Sequence, residues 1–233
     1  MDDRLIEELV LANHILFQQA VVDAFGHVSV RSAADPARFL LTWAIAPALA
    51  TAVDVLSFDF DGNTPAAAGR ELYSERFIHA AIYRARPDVM GIVHSHSPSI
   101  IPFTITDVDL RPVWHMSAFL DGSVARFDTQ DTAGDTDLLI KTPDLGQSLA
   151  SSLGASTVAL MRGHGSVVVG RSVREAVSRA IYTEANAKLQ AESQRMGTRV
   201  KFLTAGEAAL MNTYTKPDVR RQWDLWVREL PSV

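Results

Sequence analysis

The chain has 233 residues, 47% hydrophobic and 21% charged, which is the balance of a globular protein with a substantial core and not of a disordered tail. A formal net charge of −5 argues against a nucleic-acid or anionic-membrane surface, because neither steers an acidic protein toward itself. With no cysteine, disulfides and thiolate metal sites are excluded, so any transition metal must sit on imidazole nitrogen and carboxylate oxygen.

Asp2 to about Ala20 reads as a helix, with Leu5, Ile6, Leu9, Val10 and Ile15 roughly on one face. Its acidic, amphipathic start is unlike a signal peptide, and no apolar run approaches the ~20 residues that span a bilayer, so the expected compartment is the cytoplasm. Three short strands are expected next: His27–Arg31, Arg38–Thr42 and Val55–Phe60, the last closed by the turn Asp61-Gly62-Asn63. Glu71–Ala85 carries helical periodicity and stops before Pro87, and the short, β-branched run Val89–His96 predicts a buried strand. From Pro98 to about Thr142, prolines and a stretch rich in Asp and Gly predict loops with short elements. Pro143–Leu153 predicts a helix, with Pro143 near its start and Gly154 just past its end. Ser156–Gly170 reads as two strands joined at Gly163-His164-Gly165. A long helix from Ser172 to about Met196 and two shorter ones, around Ala205–Thr213 and Pro217–Leu230, complete the chain. No internal repeat or low-complexity linker divides it, so a single domain over residues 1–233 is expected. Strands mixed with helices, without strict alternation, predict an α/β fold of three layers, α/β/α, around a mostly antiparallel or mixed sheet.

His94-Ser95-His96 is the sharpest chemical signal. Residues i and i+2 of a strand project from one face, so both imidazoles can reach one metal; the alternative is two satisfied polar residues at a strand end. His164 adds a third imidazole between two glycines, which let the backbone approach a site closely, although a turn histidine can equally face solvent. Glu75, on the helix before the His94 strand, is a candidate general acid/base or metal-site carboxylate, against the alternative of a solvated helix face. His79, four residues on, shares that face and is placed to orient it. His27, Ser29 and Arg31 alternate with Val28 and Val30, so their side chains share a strand face that either lines an anion pocket or is a solvated edge.

In these motifs the chain resembles the class II aldolase/adducin family over most of its length. The resemblance is carried by FGHVSVR (Phe25 to Arg31), SERFIH (Ser74 to His79), RPDVMGIVHSHSP (Arg86 to Pro98) and RGHG (Arg162 to Gly165). It implies a helix-flanked sheet in a homotetramer with active sites at subunit interfaces, a C-terminal residue such as Tyr214 completing a neighbour's site. It also implies one divalent metal on His94, His96 and His164, with Glu75 as catalytic acid/base. Adducin-like members lack these histidines, so the implied protein is an enzyme.

The departures narrow the class. Sugar-phosphate aldolases of this family usually carry Gly-Asn where this chain has Gly26-His27, and two serines where it has Tyr73-Ser74. Trp43 and Tyr73 would fill the phosphate cradle. The pattern looks like a subgroup that decarboxylates aromatic acids with a hydroxyl ortho to the carboxylate. The implied substrate is a small aromatic carboxylate: 3-hydroxy-2-methylpyridine-4,5-dicarboxylate of vitamin B6 breakdown, with a dihydroxyphthalate as an alternative. His27, Ser29, Arg31, Tyr73 and Ser74 are the expected substrate-lining residues, and burial is expected to raise the pKa of Glu75 so that it delivers a proton. Three imidazoles and a carboxylate suit Mn2+ or Zn2+, and no organic cofactor is needed. Aldol cleavage of a non-phosphorylated hydroxy-ketone or hydroxy-acid is the rival chemistry, and an adducin-like interaction module is the non-enzymatic one.

Overall fold

The structure, a computed structural model, describes residues 2–214 and 219–231. Pro217, the expected start of the last helix, and the Tyr214 side chain lie outside the described residues. Helix α1 (Asp3–Gln18) leads into strands β1 (His27–Arg31), β2 (Arg38–Thr42) and β3 (Val55–Asp59). Helix α2 (Arg76–Ala85) precedes β4 (Gly91–Ser95), and α3 (Ile101–Thr104), β5 (Val124–Phe127), α4 (Thr129–Ala133) and α5 (Pro143–Leu153) follow. The chain then forms β6 (Val158–Met161), β7 (Gly165–Gly170), α6 (Val173–Arg195), α7 (Ala205–Tyr214) and α8 (Arg220–Glu229). The strands make one seven-stranded sheet in the order β3-β2-β1-β4-β7-β6-β5. Neighbours run antiparallel except β5 with β6, which are parallel. This is the expected mixed α/β sheet with helices on both sides.

Strand alternation divides the core into two layers. Val28, Val30, Val93 and Val168 face one cluster, filled from α1, α6 and α8 by residues such as Leu9, Ile15, Val177 and Trp223. Ile92, Val167 and Val169 face the other, filled from α2 and α5 by Ile78, Ile82, Leu149 and Leu153. His27 lies directly opposite His94 in the β1–β4 register, so both project from the same face. The period of two that makes Ile92 apolar on the α2 side puts His94 on that side too.

One expectation needs correction. The helix expected from Glu71 begins only at Arg76, because the residues before it are held as an irregular segment. The Glu71 carbonyl accepts the Ala44 N–H at 2.9 Å, and the Tyr73 hydroxyl donates to the Ile45 carbonyl. The stretch expected as loops with short elements has them, among them a four-residue edge strand, β5, held by its parallel register with β6. The buried side chains of Asn186 and Gln190 on α6 fix the rest of that stretch through the backbone of Asp109, Arg111 and Val113. Among the described residues, no helix is long and apolar enough to cross a membrane.

Helices α2 and α5 touch at Gly146, where a Cβ would come within 2.6 Å of the Phe77 carbonyl oxygen. In an open helix Gly→Ala stabilises by about 1 kcal/mol. Here Gly146→Ala reverses that sign and destabilises by roughly 1–3 kcal/mol, read as a lower midpoint in urea denaturation.

Candidate active site

Four side chains converge at the α2 side of the sheet: Glu75, His94, His96 and His164, whose nearest ligand atoms all lie within 4.8 Å of one another. Each arrives from a different local structure. His94 is within β4, His96 lies just past its end, His164 sits in the turn between β6 and β7, and Glu75 is the N-cap residue of α2. That turn comes close to β4 because residue 165 is glycine, where a Cβ would overlap the Ser95 carbonyl oxygen.

The protonation of two of the imidazoles follows from their partners. His94 Nδ1 lies 3.1 Å from the Ser166 carbonyl, and His164 Nδ1 lies 3.0 Å from the Leu138 carbonyl. A carbonyl oxygen only accepts, so each Nδ1 carries the proton and, in the neutral ring, each Nε2 keeps its lone pair. His96 Nε2 is 3.1 Å from His94 Nε2 and 3.0 Å from His164 Nε2. Glu75 Oε2 lies 3.6 Å from His94 Nε2 and 3.4 Å from His164 Nε2. Ligands about 2.05 Å from a tetrahedral zinc are about 3.3 Å apart, and these separations bracket that value. The donor set fits a divalent metal, and the carbonyls behind His94 and His164 are the outer partners such a site requires.

Glu75 is not poised as expected. Burial alone would raise its carboxyl, but His164 and His94 beside it outweigh burial and hold it well below the usual carboxylate range. The residue is ionised at rest, with Oε1 accepting the Ile140 N–H at 2.9 Å and Oε2 turned to the histidines. Leu138, whose carbonyl holds His164, has a φ of +67°, a left-handed conformation rare for a bulky side chain.

The other expected site residues separate. His27 is buried beside the cluster, its ring 5.0 Å from that of His94 and 4.6 Å from that of Tyr73. Burial, first of all, and the neighbouring histidines hold His27 well below 6.5. Ser29 is fully buried and bonds His79 and Tyr83. The Arg31 guanidinium donates to the carbonyls of Val89, Pro36, Tyr83 and Arg86 at 2.7–3.0 Å, which commits it to holding β1 against α2. Ser74 is exposed. His79 bonds His27 instead of orienting Glu75. Its partner lies 52 residues away in sequence, and no local pattern announces it.

Residues 7–191 match the model of the class II aldolase and adducin N-terminal domain. The chain belongs to the class II aldolase and adducin family. It is 40% identical to the decarboxylase tropJ of Talaromyces stipitatus, over 94% of this chain and 91% of that one. The 3,4-dihydroxyphthalate decarboxylase of Arthrobacter keyseri is 28% identical over 87% of this chain and 84% of its own length. In fold it is similar to L-fuculose 1-phosphate aldolase from Glaciozyma antarctica, with a TM-score of 0.81 at 23% identity, covering 97% of this chain and 88% of that one. Within the family this chain is an enzyme of the lyase class, a decarboxylase.

If Arg31 serves packing, Arg31→Lys, which cannot reproduce a planar fork over four carbonyls, lowers stability by about 2 kcal/mol. Thermal unfolding reads that loss, and KM stays within about twofold of the parent, since a conserved KM requires less than ~0.4 kcal/mol change.

Proposed function

We propose that the protein is a metal-dependent decarboxylase that removes a carboxylate ortho to a ring hydroxyl, with His94, His96 and His164 as metal ligands and Glu75 as proton carrier. The observation that carries this reading is the placement of one Glu75 carboxyl oxygen 3.4–3.6 Å from the Nε2 atoms of two imidazoles, in a chain with decarboxylase relatives. A divalent cation there supplies a Lewis acid for the negative charge that develops on the ring oxygen as the C–C bond breaks.

The chain's own residues handle the proton. Glu75 is a carboxylate before substrate arrives, so it accepts the proton of the ring hydroxyl on Oε2. It returns that proton to the ring carbon bearing the departing carboxylate. The electrons of the broken bond flow toward the ring oxygen, CO2 leaves, and the product oxygen recovers a proton from solvent. The Ile140 N–H on Oε1 keeps the carboxylate aimed while Oε2 gains and loses its proton. The low resting pKa of Glu75 thus suits a carrier filled by the substrate, where a permanently protonated acid would have to be loaded from water.

An aromatic ring fits better than a sugar phosphate. Tyr73 stands against His27 with its hydroxyl tied to the Ile45 carbonyl, and the Trp43 indole N–H is fixed on Asp54 at 2.7 Å. These bulky groups occupy the sequence positions where family aldolases keep small residues. The substrates that this reading names are 3,4-dihydroxyphthalate and 3-hydroxy-2-methylpyridine-4,5-dicarboxylate, the first favoured by the Arthrobacter relative. The working form is taken as a cytoplasmic homotetramer with sites at subunit interfaces. The exposed Phe25, two residues before His27, supports an apolar contact beside the site.

The test is CO2 release from each of the two substrates by protein reconstituted with Mn2+ or Zn2+. Release that disappears in His94→Ala and on chelation, and returns with added metal, supports the assignment. Aldehyde production from a hydroxy-ketone without CO2 release would replace it with an aldolase. Glu75→Gln is expected to keep bound metal while losing turnover by roughly 10²–10⁴-fold, and full activity in that variant would remove Glu75 from the mechanism.

A further inference from the structure

A buried chain of four polar side chains leads away from the metal-site cluster. His27 Nδ1 lies 2.6 Å from His79 Nε2, His79 Nδ1 lies 2.6 Å from Ser29 Oγ, and Ser29 Oγ lies 2.9 Å from the Tyr83 hydroxyl. All four residues are less than 5% exposed, so each donor without an acceptor would carry an uncompensated desolvation penalty. That condition fixes the direction of the two hydroxyl hydrogen bonds at the inner end of the chain.

Among the described residues the Tyr83 hydroxyl has one hydrogen-bond partner, Ser29 Oγ. If Tyr83 accepted from Ser29, its own proton would be buried and unpaired. If Ser29 accepted from both neighbours, the serine proton would be stranded in the same way. One arrangement pairs both hydroxyl protons: Tyr83 donates to Ser29, and Ser29 donates to His79 Nδ1. His79 is held down to about 3, first by burial, and is therefore neutral, so its single proton sits on Nε2. It donates that proton to His27 Nδ1, which leaves the proton of neutral His27 on Nε2.

We propose that Tyr83, Ser29 and His79 act as a positioning relay that fixes His27 as an Nε2–H donor toward an anionic oxygen of the substrate. The resulting tautomer is opposite to that of His94 and His164, whose Nδ1 protons are tied to carbonyls. Four imidazoles stand near one centre: His94 and His164 keep Nε2 lone pairs available to a cation, His96 turns its Nε2 toward both, and His27 is barred from ligation through Nε2 because that atom carries hydrogen. The His27 ring adjoins that of His94, opposite it in the sheet register, and its Nε2 has no protein partner among the described residues. What meets this donor rests on the decarboxylase reading; the tautomer does not.

The tautomer is read directly by 15N NMR of the full chain labelled at histidine, with diamagnetic Zn2+ added and His27→Gln used to assign the signal. A protonated Nε2 and unprotonated Nδ1 on His27 are expected. Protonation of His27 on Nδ1 overturns the proposal without involving any variant. His79→Leu removes the donor and is expected to abolish the preference, whereas His79→Gln keeps an N–H for His27 Nδ1 and restores it. An unchanged His27 tautomer in His79→Leu would also overturn the relay. Salicylate, the simplest ring with adjacent hydroxyl and carboxylate groups, serves as the binding probe. His79→Leu is expected to weaken its Kd by roughly ten- to a hundredfold, the loss of one charge-assisted hydrogen bond, with His79→Gln recovering most of it. Unaltered salicylate affinity in His79→Leu denies the donor its role at the substrate. The expected tautomer together with failure to release CO2 would leave the relay standing and reject the decarboxylase reading instead.

Discussion

The register of β1 against β4 sets the terms for the whole site. Placing His27 opposite His94 commits both imidazoles to the α2 side of a sheet whose other side is packed with valine and isoleucine. Polar groups on a central strand cannot reach water, so every one of them must find a partner in α2 or in the loops that cover it. Glu75, His79 and Tyr83 on that helix segment answer this demand, as do the carbonyls that hold Arg31. A slip of one residue in β1 would turn Val28 and Val30 into the site and bury its polar groups against α1. The geometry of the candidate site and the stability of the central sheet are therefore the same constraint, satisfied by the same side chains.

Much of this is legible in the sequence where the pattern is local. A strand's period of two puts His94 beside His96, and two glycines mark His164 as a turn residue. Each of the three was readable as a site candidate before any geometry was known. The strands β1 and β2 have the bounds their residues indicate, because β-branched and apolar runs end there at clear turn signals. What was not legible depends on distant partners. Arg31 resembles an anion ligand in sequence, yet its partners are backbone carbonyls, which leave no trace in residue identity. The periodicity of Glu71–Ala85 runs through the start of α2, although Tyr73 is drawn off by the Ile45 carbonyl. Strand β5 is four residues long and half exposed, so its alternation is too brief to detect.

The Glu75 environment shows why burial is a poor guide to proton affinity when taken alone. A carboxyl in an apolar pocket is raised, and the sequence around Glu75 suggests such a pocket. The fold instead places a backbone N–H on one oxygen and the imidazoles of His94 and His164, which hold its pKa down, beside the other. Burial then strengthens those interactions as much as it penalises the charge. A divalent cation among the same groups would act in the same direction.

The short stretch from Leu138 to Ile140 holds two members of the cluster at once. The Leu138 carbonyl fixes His164, the Ile140 N–H fixes Glu75, and Leu138 adopts its left-handed backbone to present the first. The preceding residues Asp131–Asp135 are exposed and make no comparable contact with the cluster. Over evolutionary time the two halves of this loop should therefore diverge in tempo. Insertions and deletions can accumulate around Gly134, where length is free. The three residues that follow Asp137 are held to a constant length, because one added residue would disengage a histidine and a glutamate together.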